Sequence, residues 1–324
     1  MYYGVWRRFA KRLVPDVDVL VVTRSYGYGI EKDARLLSHY LQCLGRTTRV
    51  TYSRARSRYH VLRIRPHARI TIHVENFYRR WLTSSPKHIL IPNCEFLRAT
   101  TIEHFDAFDN ICVKTRSAQN AFQHNFNISP TLLTFTSEDC CSFTAKNWSL
   151  CLHIAGNNPN KGTRTLVNLW KHHPEWPQLI VLANPNLGLH THASNVLINH
   201  EYIDEQELRV LQNHCGIHIC PSECEGWGHT ILEGMSAGAI IVATDAPPMN
   251  EIVVPGSGVL VNASETGYLG IVPSYKVDPI DLEAKIEYVI NLSNAAKRAL
   301  SAEARNRYKN IDTQFYENLK VNFS

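Results

Sequence analysis

Residues 220–251 read CPSECEGWGHTILEGMSAGAIIVATDAPPMNE, and the order of residue types along them decides the fold. The apolar run 216–220 leads into 221–229, rich in turn formers, and 230–237 has helical composition. After Gly238, residues 239–244 are apolar throughout, as a strand covered on both faces of a sheet must be. Strand, tight loop, short helix and strand form one βαβ crossover, which predicts a parallel sheet in an α/β architecture. Ligands of such sheets lie at the carboxyl ends of strands, so the 223–229 loop is where chemistry is expected.

Glu225 and Glu233 frame that loop, with Gly226, Trp227 and Gly228 between them. The glycines let the main chain approach a ligand and leave amides at the helix start, around His229 and Thr230, where the helix dipole favours an anion such as a diphosphate. Glu233, one turn into the helix, can accept two hydrogen bonds from a vicinal diol, and Glu225 would face whatever the diphosphate carries. The plainer alternative is a capping box in which Thr230 and Glu233 only close their own helix.

The ordered set Ser222-Glu223-Cys224-Glu225-Gly226-Trp227-Gly228, Glu233-Gly234-Met235-Ser236-Ala237-Gly238 and Pro248-Met249-Asn250-Glu251 resembles the signature of the retaining GT-B glycosyltransferases, in the Glu-x7-Glu branch of the family 4-like group 1 transferases. The resemblance implies an α/β protein of two Rossmann-like domains whose parallel sheets face across a cleft, with a C-terminal helix crossing back. It implies an acceptor-binding domain over 1–142, a nucleotide-sugar domain over 143–303 and the returning helix over 304–324. Its co-substrate would be a UDP- or GDP-linked sugar, with no permanently bound cofactor and no metal. By the same resemblance Lys161-Gly162 matches a cation that grips the donor diphosphate. The family's second cation, an Arg, is missing, since its place falls on Asn157 or Asn158. The resemblance further assigns Gly27 and Gly29 to a loop that meets the donor, and His73 to contact with the transferred sugar.

Length and composition fit this reading. With 324 residues the chain has room for two domains, and 44% hydrophobic with 19% charged residues excludes disordered and collagen-like classes. No apolar run approaches a membrane span, and residues 1–22 make a poor signal peptide. Nine irregularly spaced cysteines fit a reducing, cytoplasmic setting, and a monomer or weak oligomer is expected. His214, Cys215, His218, Cys220 and Cys224 straddle a helix end and a strand without any CxxC pair, so no metal site is expected there.

Charge is uneven. Residues 34–74 hold nine arginines and no acid, +9 against +5 for the whole chain, so everything else is net −4. Such a segment points to an anionic acceptor, whether nucleic acid, a phosphorylated glycan or a membrane surface, with Arg54, Arg56 and Arg58 on the acceptor side. Val5, Phe9 and Leu13 share one face of a basic amphipathic helix over 2–14 that could lie on a membrane periphery. Two rival readings stand beside transfer. One is a nucleic-acid-binding protein with a vestigial transferase core, which combined with transfer would become DNA modification; the other is a sugar-nucleotide epimerase.

In chain order, strands are expected at 18–23, 49–52, 69–74, 88–91, 111–114 and 131–135, with a helix over 117–126 and a linker over 136–147. Strands at 149–155, 178–183, 195–202 and 258–261, the last of them, alternate with helices at 163–171, 204–214 and 281–290. Ile311, Phe315 and Leu319 stripe a closing helix. Loops after the first-half strands single out His73, Glu75, Asn93, Glu95 and Lys114, with Glu75 and Glu95 as acceptor-side candidates.

Overall fold

The computed structural model describes residues 14–25, 28–54, 67–142 and 144–323. The chain divides into two compact units, Met1–Phe135 with Leu269–Val272 and Gln314–Ser324, and Thr136–Tyr268 with Pro273–Thr313. The expected helix over 2–14 lies outside the described residues except for its last position.

The first unit runs β1 (Val17–Thr23), α1 (Tyr28–Cys43), β2 (Thr48–Tyr52), β3 (Ala68–Glu75), β4 (Lys87–Pro92), α2 (Ala99–Ile102), β5 (Asn110–Val113), α3 (Arg116–Phe126) and β6 (Thr131–Leu132). Its sheet has the order β2-β1-β3-β4-β5-β6 and every pairing is parallel. Val19 to Val22 are buried on both faces, the reason this strand reads as an unbroken apolar run. Thr115 caps α3 by accepting from the Ala118 amide at 3.0 Å, and Asn127 in the left-handed region ends it. The expected strand over 131–135 stops at Leu132, because Thr134 takes a positive φ of 59° that turns the chain out of the ladder.

The second unit contains β7 (Asn147–Gly156), α4 (Thr163–Trp170), β8 (Gln178–Ala183), β9 (Val196–Asn199), α5 (Glu205–His214), β10 (Cys215–Cys220), α6 (His229–Ser236), β11 (Ile240–Thr244), α7 (Met249–Ile252), β12 (Val259–Val261), β13 (Ala263–Leu269), β14 (Val272–Val277), α8 (Pro279–Asn291) and α9 (Asn294–Phe323). Residue 269, the end of β13, and 272, the start of β14, fall to the first unit, as do the last residues of α9. The large sheet has the order β12-β11-β10-β7-β8-β9, again parallel throughout. Numbered within the unit this is 3-2-1-4-5-6 read from the β9 edge, the doubly wound arrangement. Trp170 and Trp176, 4.8 Å apart edge to face, anchor one side of its core with Ile217, Ile219, Leu282 and Ile286.

The segment 136–142 is bonded into the second unit. The Cys140 amide donates to Ser236 Oγ at 2.9 Å, Asn213 Nδ2 to the Cys140 carbonyl at 2.6 Å, and Arg305 grips both carboxylate oxygens of Asp139 at 2.7 Å each. The β13–β14 hairpin corrects the expectation that 258–261 was the last strand. Its residues alternate weakly, Pro273 sits inside the second strand, and a two-stranded ribbon has little apolar periodicity to display. Among the described residues no helix is long and apolar enough to cross a membrane.

Candidate active site

In a doubly wound sheet a crevice opens where the crossovers diverge, and in the second unit that point lies between β7 and β10. The chain leaves β7 at Gly156, makes a 3-10 turn over Pro159–Lys161 and enters α4 through Gly162. It leaves β10 into Pro221 and the acidic loop. The two exits are stitched together, since the Glu223 amide donates to the Asn160 carbonyl at 2.8 Å. Gly162 has φ +66°, and a Cβ there would run into the Pro221 carbonyl, so only glycine allows the exits to close this tightly.

That closure brings Lys161 to Glu225. Lys161 Nζ donates to Glu225 Oε1 at 2.5 Å and reaches Thr230 Oγ1 at 3.5 Å, with the two charged side chains only 11% and 8% exposed. Beneath them His153 Nδ1 donates to the Ile219 carbonyl at 2.7 Å, which fixes the tautomer, and Nε2 accepts from Thr163 Oγ1 at 2.9 Å. Burial above all, with the Lys161 charge adding to it, pushes the His153 pKa down to about 4, so the floor is a neutral imidazole. A lysine and a carboxylate within reach of one another at a strand-end crevice can hold an anion and the hydroxyls beside it.

The helix α6 starts from Gly228, whose φ of +104° again demands glycine; a Cβ there would stand 2.9 Å from the Ile252 side chain. No side chain caps this helix start. Thr230 is the second helical residue, so the Thr230–Glu233 capping box does not form, and the Ile231 and Leu232 amides donate to the Gly228 carbonyl at 3.0 and 3.1 Å. His229 Nδ1 lies 2.8 Å from Ser137 Oγ. Glu233 is 3% exposed, and its Oε2 accepts from Gln212 Nε2 at 3.0 Å. Gly226 is half-buried, Trp227 is buried and Asn157 is exposed at the β7 exit. The second unit thus gathers Lys161, Glu225 and Thr230 directly, with Gly226, Gly228 and Glu233 on the same loop and helix.

In the first unit the strand order places the corresponding divergence between β1 and β3. Arg24, one residue past β1, donates through Nη2 to Glu75 Oε1 at 2.5 Å at the end of β3. Glu75 is fully buried and sits at φ +74°, a conformation costing about 1–2 kcal/mol for a residue with a Cβ. Burial raises its pKa, against the lowering pull of Arg24. His73, expected to meet a transferred sugar, is also fully buried, with both ring nitrogens engaged. His88 Nε2 faces the Leu82 and Ser85 carbonyls at 3.0 Å, so His88 Nδ1 accepts from His73 Nε2 at 3.1 Å, and His73 Nδ1 accepts the Tyr78 amide at 3.3 Å. Burial, with His88 second, holds His73 neutral.

Lys114 is likewise taken up, bonded to Asp33 and to Asn93 Oδ1. Glu95 lies half-buried on the 3-10 turn Cys94–Phe96, and Arg54 and Gly29 are exposed. Gly27, Arg56 and Arg58 lie outside the described residues. Sequence reasoning missed Arg24, His153 and Gln212. Only Arg24 left a trace, as the first residue beyond a predicted strand.

Comparison with known proteins bears on this geometry. Residues 151–307 match the family model for glycosyl transferases group 1, a span of just under half of the chain. No curated protein matches in sequence. Among solved structures, a glycosyltransferase from Rickettsia africae ESF-5 superposes with a TM-score of 0.70 at 14% identity, covering 95% of this chain and 98% of that one. A sucrose-phosphate synthase from Thermosynechococcus elongatus gives 0.67 at 13%, covering 94% and 96%. The pneumococcal O-GlcNAc transferase GtfA, solved with UDP and GlcNAc, gives 0.56 at 13%, covering 78% and 56%. At such identities the likeness is one of fold, and that fold is GT-B. The unit that holds Lys161 and Glu225 thus matches the group 1 glycosyl transferase model, and the chain shares the GT-B fold along nearly its whole length.

Proposed function

We propose that this protein is a retaining glycosyltransferase of the Glu-x7-Glu branch, taking a sugar from a UDP- or GDP-linked donor at the β7–β10 crevice and passing it to an anionic acceptor held by the first unit. The observation that carries this reading is the meeting of Lys161, Glu225 and Thr230 where a doubly wound sheet offers its ligand crevice. Lys161 and the dipole at the start of α6 meet the charge that develops on the departing diphosphate. No metal is needed for that role. Glu225 orients the sugar hydroxyls, and Glu233, released from Gln212, accepts from the ribose diol. With Asn157 where a second cation would stand, the charge rests mainly on Lys161.

The test is a thermal-shift screen with UDP-, GDP- and ADP-sugars on the intact chain, followed by hydrolysis assays with anomeric analysis of the product. A rise in melting temperature with one nucleotide, lost in Lys161→Ala, and a product of unchanged anomeric configuration are expected. Absence of any shift would overturn the donor site, and an inverted product would overturn retention.

A further inference from the structure

The link from α4 to β8 carries His173, and α8 sets Glu283 and Glu287 beside it. Four residues apart on one helix, the two glutamates share a face. His173 Nε2 stands 3.1 Å from Glu283 Oε1, and one ligating atom from each of the three residues lies within 4.8 Å of the other two. All three belong to the second unit. The link enters β8 at its amino end, away from the carboxyl-end crevice where Lys161 and Glu225 meet.

The imidazole is held in place by the fold itself. Its ring stacks on Trp176 with centroids 4.0 Å apart and planes at 12°, and Trp176 is anchored in the core. The His173 carbonyl accepts from Asn195 Nδ2 at 2.8 Å and from the Trp176 amide at 3.1 Å, which fixes the backbone of the link. Glu175 Oε1 lies 3.0 Å from Nδ1, so a carboxylate stands at each ring nitrogen. A neutral imidazole has one N–H to give, and with Nδ1–H donated to Glu175 the Nε2 lone pair faces Glu283. Glu287 brings a second negative charge to that side, and among the described residues no hydrogen bond or ion pair offsets it. A cation among these lone pairs removes the conflict. A carboxylate behind the far ring nitrogen is also how proteins orient a ligating histidine and raise its basicity.

One nitrogen and two carboxylate oxygens suit zinc, with water as the fourth ligand. Tetrahedral ligands about 2.1 Å from zinc stand about 3.4 Å apart, so the 4.8 Å limit has to close by no more than about 1.4 Å, within the rotamer freedom of the exposed Glu287. We propose that His173, Glu283 and Glu287 bind a zinc ion that ties the α4–β8 link to α8, with Glu175 as a positioning residue. The site is structural, and it stands whether or not the chain transfers a sugar.

The experiment titrates zinc into the full chain, stripped of metal on a chelating resin, by calorimetry and in thermal melts, with magnesium as the oxygen-preferring control. Wild type, His173→Gln, Glu175→Gln and Glu287→Gln are compared. Zinc should bind wild type one to one and raise its melting temperature, and magnesium at the same concentration should do neither. His173→Gln should abolish both effects. Glu175→Gln should weaken zinc about tenfold, the loss typical when the carboxylate behind a ligating histidine is removed. Glu287→Gln decides the matter, since that exposed side chain has no partner to lose among the described residues. Its metal-free melting temperature should match wild type while zinc affinity falls by about tenfold or more. Cobalt in place of zinc should give visible bands without the thiolate charge transfer that binding by any of the nine cysteines produces. No saturable zinc binding, zinc effects untouched by His173→Gln or Glu287→Gln, or a thiolate band would overturn the proposal and leave His173 and Glu283 as an ion pair only.

Discussion

Replacing Glu225 by Gln should make the protein bind a nucleoside diphosphate more tightly while it loses transfer. In the free protein Lys161 already has an anionic partner, Glu225 Oε1 at 2.5 Å, and both side chains are about nine-tenths buried. On the proposed reading, a donor diphosphate has to compete with that carboxylate for the same ammonium. Removing one member of a buried ion pair costs about 3–5 kcal/mol, because the other charge is left without a partner. A diphosphate that supplies the missing charge recovers part of that cost as affinity. Gln keeps an oxygen that accepts from Lys161 and the pair retains some water contact, so about 1.5–2 kcal/mol is the share to expect. That is a gain in UDP or GDP affinity of roughly ten- to thirtyfold. Calorimetric titration of wild type and Glu225→Gln measures it, with urea melts on the same samples to show the matching loss of stability. Lys161→Met should abolish the gain, and Lys161→Met with Glu225→Gln together should recover much of the stability that either single change removes. Unchanged or weaker diphosphate binding in Glu225→Gln would refute the exchange of partners, and with it the idea that the ion pair marks a donor site at rest.

Gly162→Ala places a side chain at φ +66° against the Pro221 carbonyl, so stability should fall by at least about 2 kcal/mol, read as a lowered denaturation midpoint with an unchanged slope. An alanine variant as stable as wild type would show that the two strand exits are not clamped together. The buried neutral His153 sets a pH dependence. Its folded pKa of about 4 lies below the ordinary 6.5, so the unfolded chain binds the extra proton first. The stability it contributes is full above pH 6.5 and is lost as pH falls toward 4. His218, pushed by burial to about 3, adds to the same slope. His153→Gln should flatten that slope in chemical melts between pH 6.5 and 4, and an unaltered slope would contradict the burial of the imidazole.

What was legible in the sequence follows from how parallel sheets are built. Strands such as 18–23 and 239–244 are buried on both faces, so they appear as apolar runs, and the turn formers after them mark carboxyl ends where Lys161 and Glu225 were singled out. Burial of His73 could not be read this way. It sits in a strand that begins Ala68-Arg69-Ile70, and only the folded chain supplies His88, Tyr78 and the carbonyls that satisfy its ring. Partnerships were equally hidden. Lys161 and Glu225 stand 64 residues apart, and Arg24 and Glu75 stand 51 apart. Each pair joins the ends of two strands that are neighbours in a sheet but whose onward connections diverge, β7 with β10 and β1 with β3. At these ends the acids and Lys161 are largely buried, so each charge needs a partner there. Bringing two such ends side by side lets opposite charges neutralise one another. Strand order, which no local pattern encodes, therefore decides which of the legible residues become partners.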